Sequence, residues 1–352
     1  MSFRRFIETR RTKSTSTGYS GALLSMLKDP DAFLDTATRD KRGAEDFLID
    51  FVVSHREKLS GSTLTVWLSM AKSFLDFYEV SLNWKRIRSS APAGSFVALD
   101  RAPLVEEIRK MLSYAPLRER VVSLVLASSG MRVGAFEGMK LSHVEELEGG
   151  LSKLRVYAGQ REEYSTFISP EATAELKQYL EDRKARAHEV LSPNSPLIRN
   201  VWNYQNEAVK IVSPLSPETA KAELYRLWLK SGVKAKGQKQ EFKQAHGFRK
   251  FFKTQLSRAG LSWEDQEVLL GHRLSYYRPT LDHLRDEYLK AVPFLTISEA
   301  EQAKTAMHDA SEKHESELSK TRYELAVIRD EMRRNQEEHE RQLKQIYERL
   351  GC

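Results

Sequence analysis

Cysteine and long apolar runs are nearly absent from this chain of 352 residues. Its single cysteine, Cys352, excludes a disulfide framework, a zinc site built from cysteines and a buried thiol nucleophile. No apolar run approaches the roughly 18 residues that a membrane span needs. The basic N-terminus is followed by no long apolar stretch, so it does not resemble a secretory signal. We therefore expect a protein of a reducing compartment that does not enter a membrane.

Charge and hydrophobic content are those of folded domains. Hydrophobic residues make up 40% of the chain and charged residues 30%, which excludes a largely disordered or collagen-like chain. The net charge of +7 permits a polyanionic partner such as nucleic acid. The length suggests two or three domains.

The pattern along the chain divides it into five segments. They are a basic arm at 1–17, a helical domain at 18–88, a linker at 89–98 containing Ser, Pro and Gly, a second domain at 99–298, and a long helix at 299–352. In the first domain, apolar residues at spacings of three and four from Leu64 to Tyr78 predict an amphipathic helix.

The second domain is predicted to be mainly α with a small antiparallel β element. One pair of strands is predicted, at 151–159 and 163–169, joined by a short turn. The predicted helices cover 103–114, 116–128, 171–189, 216–231, 247–258 and 263–270.

The last segment carries a heptad pattern. Five residues stand seven apart along it: Leu318, Leu325, Met332, His339 and Ile346. Such a stripe predicts a coiled coil, which the polar His314, Asn335 and His339 at or near the seam weaken. The alternative is a single solvated helix held by ion pairs such as Glu337 with Arg341.

Four short motifs carry the candidate chemistry. They contain Arg132 in SSGMRVGA, His246 and Arg249 in HGFRKFF, His272 in LLGHR, and Tyr276 and Tyr277 in SYYRP. Taken alone, each arginine or histidine fits a surface or structural role. The ordered set of Arg, His-x-x-Arg, Gly-His and Tyr is much more specific.

These residue types suit chemistry on a phosphodiester. Two guanidiniums can clamp the non-bridging oxygens of one phosphate with planar forks of donors. Two imidazoles can hold the phosphate and move protons at neutral pH. A tyrosine hydroxyl can then attack phosphorus and form a phosphotyrosine ester.

In that order, the four motifs resemble those of the tyrosine recombinase (phage integrase) family, over roughly residues 15–298. SYYRPT followed by EYLKAV is closest in look to archaeal members. The resemblance implies a helical core-binding domain and a mainly α catalytic domain that clamp double-stranded DNA. It implies a site-specific recombinase, an integrase or transposase, that cleaves and rejoins strands through a 3′-phosphotyrosyl link without a metal or cofactor. A tetramer on two duplexes, in the cytoplasm of a prokaryote or of a virus-infected host, is then expected.

Carried over by motif, the catalytic residues would be Arg132, His246, Arg249, His272 and Tyr277. The family's tyrosine lies further beyond the Gly-His histidine, at a position that is Leu281 here. We favour Tyr277 as the nucleophile and keep Tyr276 as the alternative. Tyr288 is expected to be a packing residue.

The chain also departs from the family at two positions. The lysine of the family's β-hairpin falls on Ala158 or Gly159, which leaves Arg161 or Lys153 as substitutes. An acidic residue often found after the first arginine is Ala135 here. Two rivals remain: a type IB topoisomerase, and a DNA-binding architectural or regulatory protein on an inactive recombinase scaffold.

Overall fold

The chain folds as two units, Met1–Val97 and Ala98–Cys352. The computed structural model describes residues 2–10, 13–92, 101–201, 211–235 and 244–350, with side chains left out at 13, 14, 301, 302, 304–316, 327 and 342–350. The division between the units falls inside the predicted linker at 89–98, where residues from 93 onward lie outside the described part.

The first unit is helical. Its helices are α1 (Ser2–Glu8), α2 (Lys13–Leu27), α3 (Pro30–Arg39), α4 (Lys41–His55), α5 (Gly61–Phe77) and α6 (Trp84–Ser89). Asp29, Asp40, Ser60 and Asn83 start α3 to α6, each accepting a backbone N–H of the first turn. The predicted stripe from Leu64 lies on α5, where Leu64, Leu68, Ala71, Phe74 and Leu75 are buried.

Within residues 1–17, predicted as a basic arm, helix α1 packs on other helices of the first unit. The Phe6 ring of α1 is fully buried, and its centroid lies 5.2 Å from that of Phe74. The guanidinium of Arg10 lies over the Phe6 ring at 4.1 Å. Tyr78 donates a hydrogen bond of 2.5 Å to the Ser2 carbonyl. Apolar contacts of Phe6 therefore bring part of this basic segment into the core.

The second unit confirms the prediction of a mainly α fold with a small antiparallel sheet. Its helices are α7 (Val105–Leu112), α8 (Leu117–Ser129), α9 (Pro170–Arg186), α10 (Pro217–Lys230), α11 (Gln244–Arg258), α12 (Trp263–Leu269), α13 (Leu281–Leu295) and α14 (Glu299–Leu350). The strands are β1 (Val144–Glu146), β2 (Ser152–Val156) and β3 (Tyr164–Ile168), in the order β1-β2-β3. Sequence reasoning missed β1 because only three residues, two of them acidic, form it.

Helix α8 lies in the core of this unit and packs against α9, α11 and β3. From Val121 to Ser129 every residue of α8 is buried. Helix α11 contributes three fully buried phenylalanines, Phe248, Phe251 and Phe252. The Tyr288 hydroxyl donates a 2.7 Å hydrogen bond to the Ser128 carbonyl, and its ring is fully buried. Tyr288 is thus the packing residue that its motif predicts.

Helix α14 is anchored at its first turn and exposed beyond it. The carboxylate of Glu171 accepts the backbone N–H groups of Ile297 at 2.7 Å and Ser298 at 2.9 Å. Arg109 donates to the Ile297 carbonyl at 2.9 Å and pairs with Glu299 at 2.8 Å. At 52 residues the helix extends about 78 Å at 1.5 Å per residue.

The apolar stripe of α14 is exposed within this chain. Its described members Leu318, Leu325, Ile328 and Met332 are each between 43% and 64% exposed. Pairing of this stripe in a coiled coil therefore stays a prediction. None of the helices in the described residues has the length and apolar character to cross a bilayer.

The end of α8 requires glycine. Gly130 has a φ of 60°, in the left-handed region, and its N–H bonds to the Leu126 carbonyl. A Cβ at this position would lie 2.3 Å from a ring carbon of Phe252. The turn lets the chain leave the buried helix and bring Arg132 to the surface two residues later.

We expect Gly130→Ala to lower the free energy of unfolding by about 1–3 kcal/mol, because the side chain meets both a strained φ and an occupied space. Denaturant unfolding followed by circular dichroism measures the loss. Gly134→Ala is the matched control, because its φ is not in the left-handed region and its Cβ would have nothing within 4 Å. Equal stability of the two variants would contradict the requirement for glycine.

Candidate active site

The predicted site residues lie around two pockets of the second unit. The first, here called the arginine pocket, has a volume of about 330 Å³ and is lined by Met131, Arg132, Val133, Lys221, Gln244, Ala245, His246 and Arg249. The second, the tyrosine pocket, has about 440 Å³ and includes Tyr164, Gly271, His272, Arg273 and Tyr277 in its lining. The structure thus brings Arg132, His246 and Arg249 to one pocket and places His272 and Tyr277 in the other.

Arg249 connects the two pockets. Its guanidinium donates hydrogen bonds of 2.8 Å to the Gly130 carbonyl and 2.7 Å to the Leu270 carbonyl. It also contacts Nε2 of His272 at 3.0 Å. The residue is 7% exposed, so its orientation is set by buried partners at the ends of α8 and α12.

The pKa of Arg249 is lowered by its surroundings. Burial lowers the pKa of Arg249, and the positive charge of Arg132 lowers it further. Arg132 itself is exposed, just before the 3-10 turn Val133–Glu137. Its pocket has no carboxylate in its lining, so the uncompensated charge favours a bound anion. Planar guanidinium groups suit a phosphate in particular.

His272 is oriented from behind by an acidic residue. Its Nδ1 pairs with the carboxylate of Glu267, which also accepts from Lys253 at 2.5 Å. Because Arg249 donates to Nε2, that nitrogen is the unprotonated one and Nδ1 carries the hydrogen. Burial acts to raise the pKa of Glu267, but the hydrogen bonds from Lys253 and His272 outweigh it and the pKa is lowered. Glu267 therefore stays charged and fixes the tautomer.

Gly271 sets the backbone that leads to His272. Its φ is 78°, and a Cβ here would lie 2.5 Å from the Tyr164 ring. Tyr164 comes from β3, and burial raises its pKa to about 12. The glycine of the Leu-Gly-His motif therefore allows a tight turn that packs against the Tyr164 ring.

Tyr277 is held by acidic and imidazole groups. Its hydroxyl donates a 2.7 Å hydrogen bond to Asp265 and lies 3.3 Å from Nε2 of His283. That nitrogen lies 3.1 Å from the same Asp265 oxygen. The hydrogen bond to Asp265, followed by burial and the Asp265 charge, raises the pKa of Tyr277 to about 12. In this arrangement the phenol is kept protonated, whereas the Tyr276 side chain is fully exposed.

Neither substitute for the hairpin lysine lines the arginine pocket. Lys153 lies on β2 and its ammonium pairs with Glu145 of β1. Arg161 lies in the exposed turn between β2 and β3, where its carbonyl accepts from Arg273. The pocket instead contains Lys221 of α10, which sequence reasoning missed. No motif marks Lys221, because only the packing of α10 brings it to the site.

Sequence reasoning also missed the residues that hold the motifs in place. Glu267, Asp265 and His283 have no distinctive spacing in the sequence. The one local signal is at Asp265, which follows the helix cap Ser262 and accepts its hydroxyl at 2.6 Å. Glu267 acts through contacts with Lys253 of α11 and with His272, whereas Asp265 and His283 meet where α12 packs against α13.

The sequence of the unit matches a known family. Residues 102–276 match the phage integrase family. This chain carries a phage integrase domain. Domains of this family belong to the tyrosine recombinases, enzymes that cleave and rejoin DNA. The matched range ends at Tyr276 and includes Arg132, His246, Arg249 and His272. No curated protein matches the whole sequence at a significant level.

Solved structures share the fold of the phage integrase domain at low identity. A complex of the Tn1549 transposon integrase with transposon right end DNA is 12% identical, covers 88% of this chain and 98% of its own, and gives a TM-score of 0.55. A lambda integrase dimer bound to a COC′ core site is 14% identical, covers 82% and 94%, and gives 0.53. The chain spans 66% and 68% of the length of XerH site-specific recombinase in two complexes with difH substrates. These likenesses concern the fold.

Side chains that could bind a metal ion do not form a cluster in the described part of the phage integrase domain. Among the described residues, no three His, Cys, Asp or Glu side chains lie close enough together to hold a metal ion. The acidic residues of the site are already engaged, Glu267 by His272 and Lys253, and Asp265 by Tyr277.

We expect Asp265→Asn to lower the pKa of Tyr277 from about 12 toward the ordinary value of about 10, because the variant loses the negative charge that keeps the phenol protonated. The absorbance of tyrosinate near 295 nm, followed as the pH rises, measures this shift. Tyr277→Phe is titrated both alone and combined with Asp265→Asn. Each curve is subtracted from that of the corresponding chain that keeps Tyr277, so the difference reports the Tyr277 phenol alone. An unchanged difference curve would contradict the control of Tyr277 by Asp265.

Proposed function

We propose that this protein is a site-specific DNA recombinase, an integrase or transposase, that cleaves one strand through a 3′-phosphotyrosyl link and rejoins it to a partner strand. The observation that carries the proposal is the arginine pocket. Arg132, His246 and Arg249 converge there without a carboxylate in the lining, which suits a single scissile phosphodiester.

In the proposed reaction, Arg132 and Arg249 hold the two non-bridging oxygens of that phosphate. Arg249 is already fixed by two carbonyls, so little side-chain freedom is lost when the phosphate binds. His246 lies three residues before Arg249 on α11 and reaches the same pocket. Charge on the phosphoryl group is stabilised by this fixed set of donors.

Tyr277 is the proposed nucleophile, and it must leave Asp265 before it attacks. The contact with Asp265 raises the pKa of the phenol to about 12, so its proton is harder to remove there, which supports a resting state that does not cleave DNA. His272 lines the same pocket as Tyr277, and its unprotonated Nε2 accepts from Arg249 in the resting chain. We assign the phenolic proton to this Nε2 as the phenol oxygen bonds to phosphorus, once the Arg249 donor has turned from His272 to the phosphate.

The wider assignments follow from the resemblance and the fold. The first unit would be the core-binding domain and the second the catalytic domain, together clamping double-stranded DNA. Their assembly would be a tetramer on two duplexes, with no metal or cofactor needed because the phosphotyrosyl ester conserves the bond energy. SYYRPT and EYLKAV support placement near archaeal members, and thus the cytoplasm of a prokaryote or of a virus-infected host.

A second candidate function is DNA binding without catalysis. The hydrogen bond from Tyr277 to Asp265 and the absence of lysine at 157–163 both favour an architectural or regulatory role on an inactive scaffold. A type IB topoisomerase shares the cleavage chemistry but needs neither a partner duplex nor the exposed stripe of α14.

We expect Tyr277→Phe to bind DNA with unchanged affinity and to form no covalent adduct, because only the attacking oxygen is lost. The substrate is a nicked duplex carrying the ends of the element that encodes the chain, so that the cleaved product is trapped. Excess chelator is present throughout, and denaturing gels show the protein–DNA adduct.

Tyr276→Phe is the matched control and should form adduct as the parent chain does. Adduct from Tyr277→Phe but not from Tyr276→Phe would move the nucleophile to Tyr276. Failure of the parent chain itself to form adduct would favour the architectural function, and adduct without joining of two duplexes would favour a topoisomerase.

The prediction for helix α14 concerns self-association of the chain. Replacing Leu318, Leu325, Ile328 and Met332 by Gln should leave single-site cleavage intact and lower both oligomerisation and strand exchange, because the stripe would otherwise pair between chains. This set is cleaner than truncation after Ile297, which would also remove the contacts at Ser298 and Glu299. Analytical ultracentrifugation without DNA measures the association.

The control changes Lys320 and Arg334 to Gln, since both are exposed on the polar side of the same helix. We expect weak, concentration-dependent association of the parent chain and of this control. Monomeric sedimentation of the parent chain across the micromolar range would rule out the coiled coil as a self-association device.

A further inference from the structure

The proposed cleavage needs a group that donates a proton to the leaving 5′ oxygen. When the phenol oxygen bonds to phosphorus, the bond from phosphorus to the 5′ oxygen breaks, and an alkoxide is a poor leaving group unless it receives a proton. The turn between β2 and β3, at 157–163, contains no lysine, and Arg161 is its only cation. A guanidinium keeps its proton at any ordinary pH, so Arg161 is unsuited to donate it.

Lys153 is engaged elsewhere. Its side chain is 22% exposed, and its ammonium pairs with Glu145 across the β1–β2 ladder. Lys153 does not line the arginine pocket. Transfer of a proton from Lys153 to a phosphate bound there would require both the ion pair and the side chain to rearrange.

Lys221 is the one lysine in the lining of the arginine pocket. Helix α10 packs against the 3-10 turn that follows Arg132 and against α11, which carries His246 and Arg249. Ala220, Leu224 and Trp228 form the buried side of α10, and Lys221 lies beside Ala220 at the pocket. The packing of this one helix therefore fixes the position of Lys221 relative to all three motif residues.

Among the described residues, no carboxylate pairs with the ammonium of Lys221. Four other lysines of the unit do pair with carboxylates: Lys153 with Glu145, Lys177 with Glu146, Lys253 with Glu267 and Lys290 with Glu287. Lys221 itself is exposed. The other residues that line the arginine pocket are cationic or neutral.

We propose that Lys221 is the general acid that protonates the leaving 5′ oxygen, an inference that rests on the proposed recombinase function. In cleavage, the ammonium gives its proton to the 5′ oxygen as the bond from phosphorus breaks, which leaves a 5′-hydroxyl and a neutral amine. In rejoining, the amine takes the proton back from the attacking 5′-hydroxyl. A lysine ammonium can release a proton in this way, because its pKa of about 10.4 is far below that of a guanidinium.

The test compares two versions of the nicked duplex, one normal and one with sulfur in place of the bridging 5′ oxygen of the scissile phosphate. A thiolate leaves without a proton, so loss of a general acid affects only the normal duplex. We expect Lys221→Ala to slow adduct formation about 10²-fold or more on the normal duplex and to match the parent chain on the sulfur duplex. Lys221→Arg keeps the charge and should behave like Lys221→Ala.

Lys230→Ala is the matched control from the same helix, since the Lys230 ammonium lies 5.8 Å from the ring centroid of Tyr114 rather than in the pocket. We expect it to cleave both duplexes at the parent rate. Arg161→Ala and Lys153→Ala are measured alongside, and circular dichroism and DNA binding confirm that each variant is folded.

Equal slowing of Lys221→Ala on both duplexes would mean that Lys221 only binds phosphate, which overturns the inference. Unimpaired cleavage of the normal duplex by Lys221→Ala would overturn it as well. If Arg161→Ala or Lys153→Ala cleaves the normal duplex slowly but the sulfur duplex at the parent rate, that residue would be the general acid instead. A parent chain that forms adduct on neither duplex would remove the recombinase function itself, which is a separate and distinguishable result.

Discussion

Arg249 donates hydrogen bonds to the carbonyls of Gly130 and Leu270 and contacts His272, so one buried guanidinium joins the ends of α8 and α12 to α11. A buried cation with these partners can hold only one orientation. The positions of Arg132 and His272 follow from that contact, since both leave tight glycine turns directly beside it. The anion pocket is therefore a consequence of how three helix ends meet.

Positive and negative side chains occupy different parts of the site. Cationic groups line the arginine pocket, whereas the carboxylates of Glu267 and Asp265 lie behind the functional residues and hold them. Glu267 selects the tautomer of His272, and Asp265 keeps the phenol of Tyr277 protonated. A phosphate that enters the pocket supplies the negative charge that the front of the site lacks. The charges of the resting chain therefore favour a bound anion in the arginine pocket.

The long helix α14 is connected to the catalytic unit by a rigid first turn. Glu171 of α9 and Arg109 of α7 both hold residues 297–299, so the direction of the helix where it leaves is set by the core. Beyond that turn its apolar stripe is exposed. A rigid start followed by an unpaired stripe suits a helix whose partner is another chain.

Sequence patterns alone predicted every helix of the second unit except α13, two of the three strands and the four motifs, because apolar periodicity and glycine turns are local properties. They predicted Arg132, His246, Arg249 and His272 as one set, since the order and spacing of the motifs are visible without a fold. They did not reveal Lys221, Asp265 or His283, whose relevance depends on which helices pack together. Nor could they reveal that Tyr277 rests on Asp265, because the hydrogen bond joins α12 to the segment before α13 through tertiary contact. Tertiary packing likewise decided that Phe6 of the basic segment lies in a core, because burial of its ring is favourable while Arg4 and Arg5 stay in solvent.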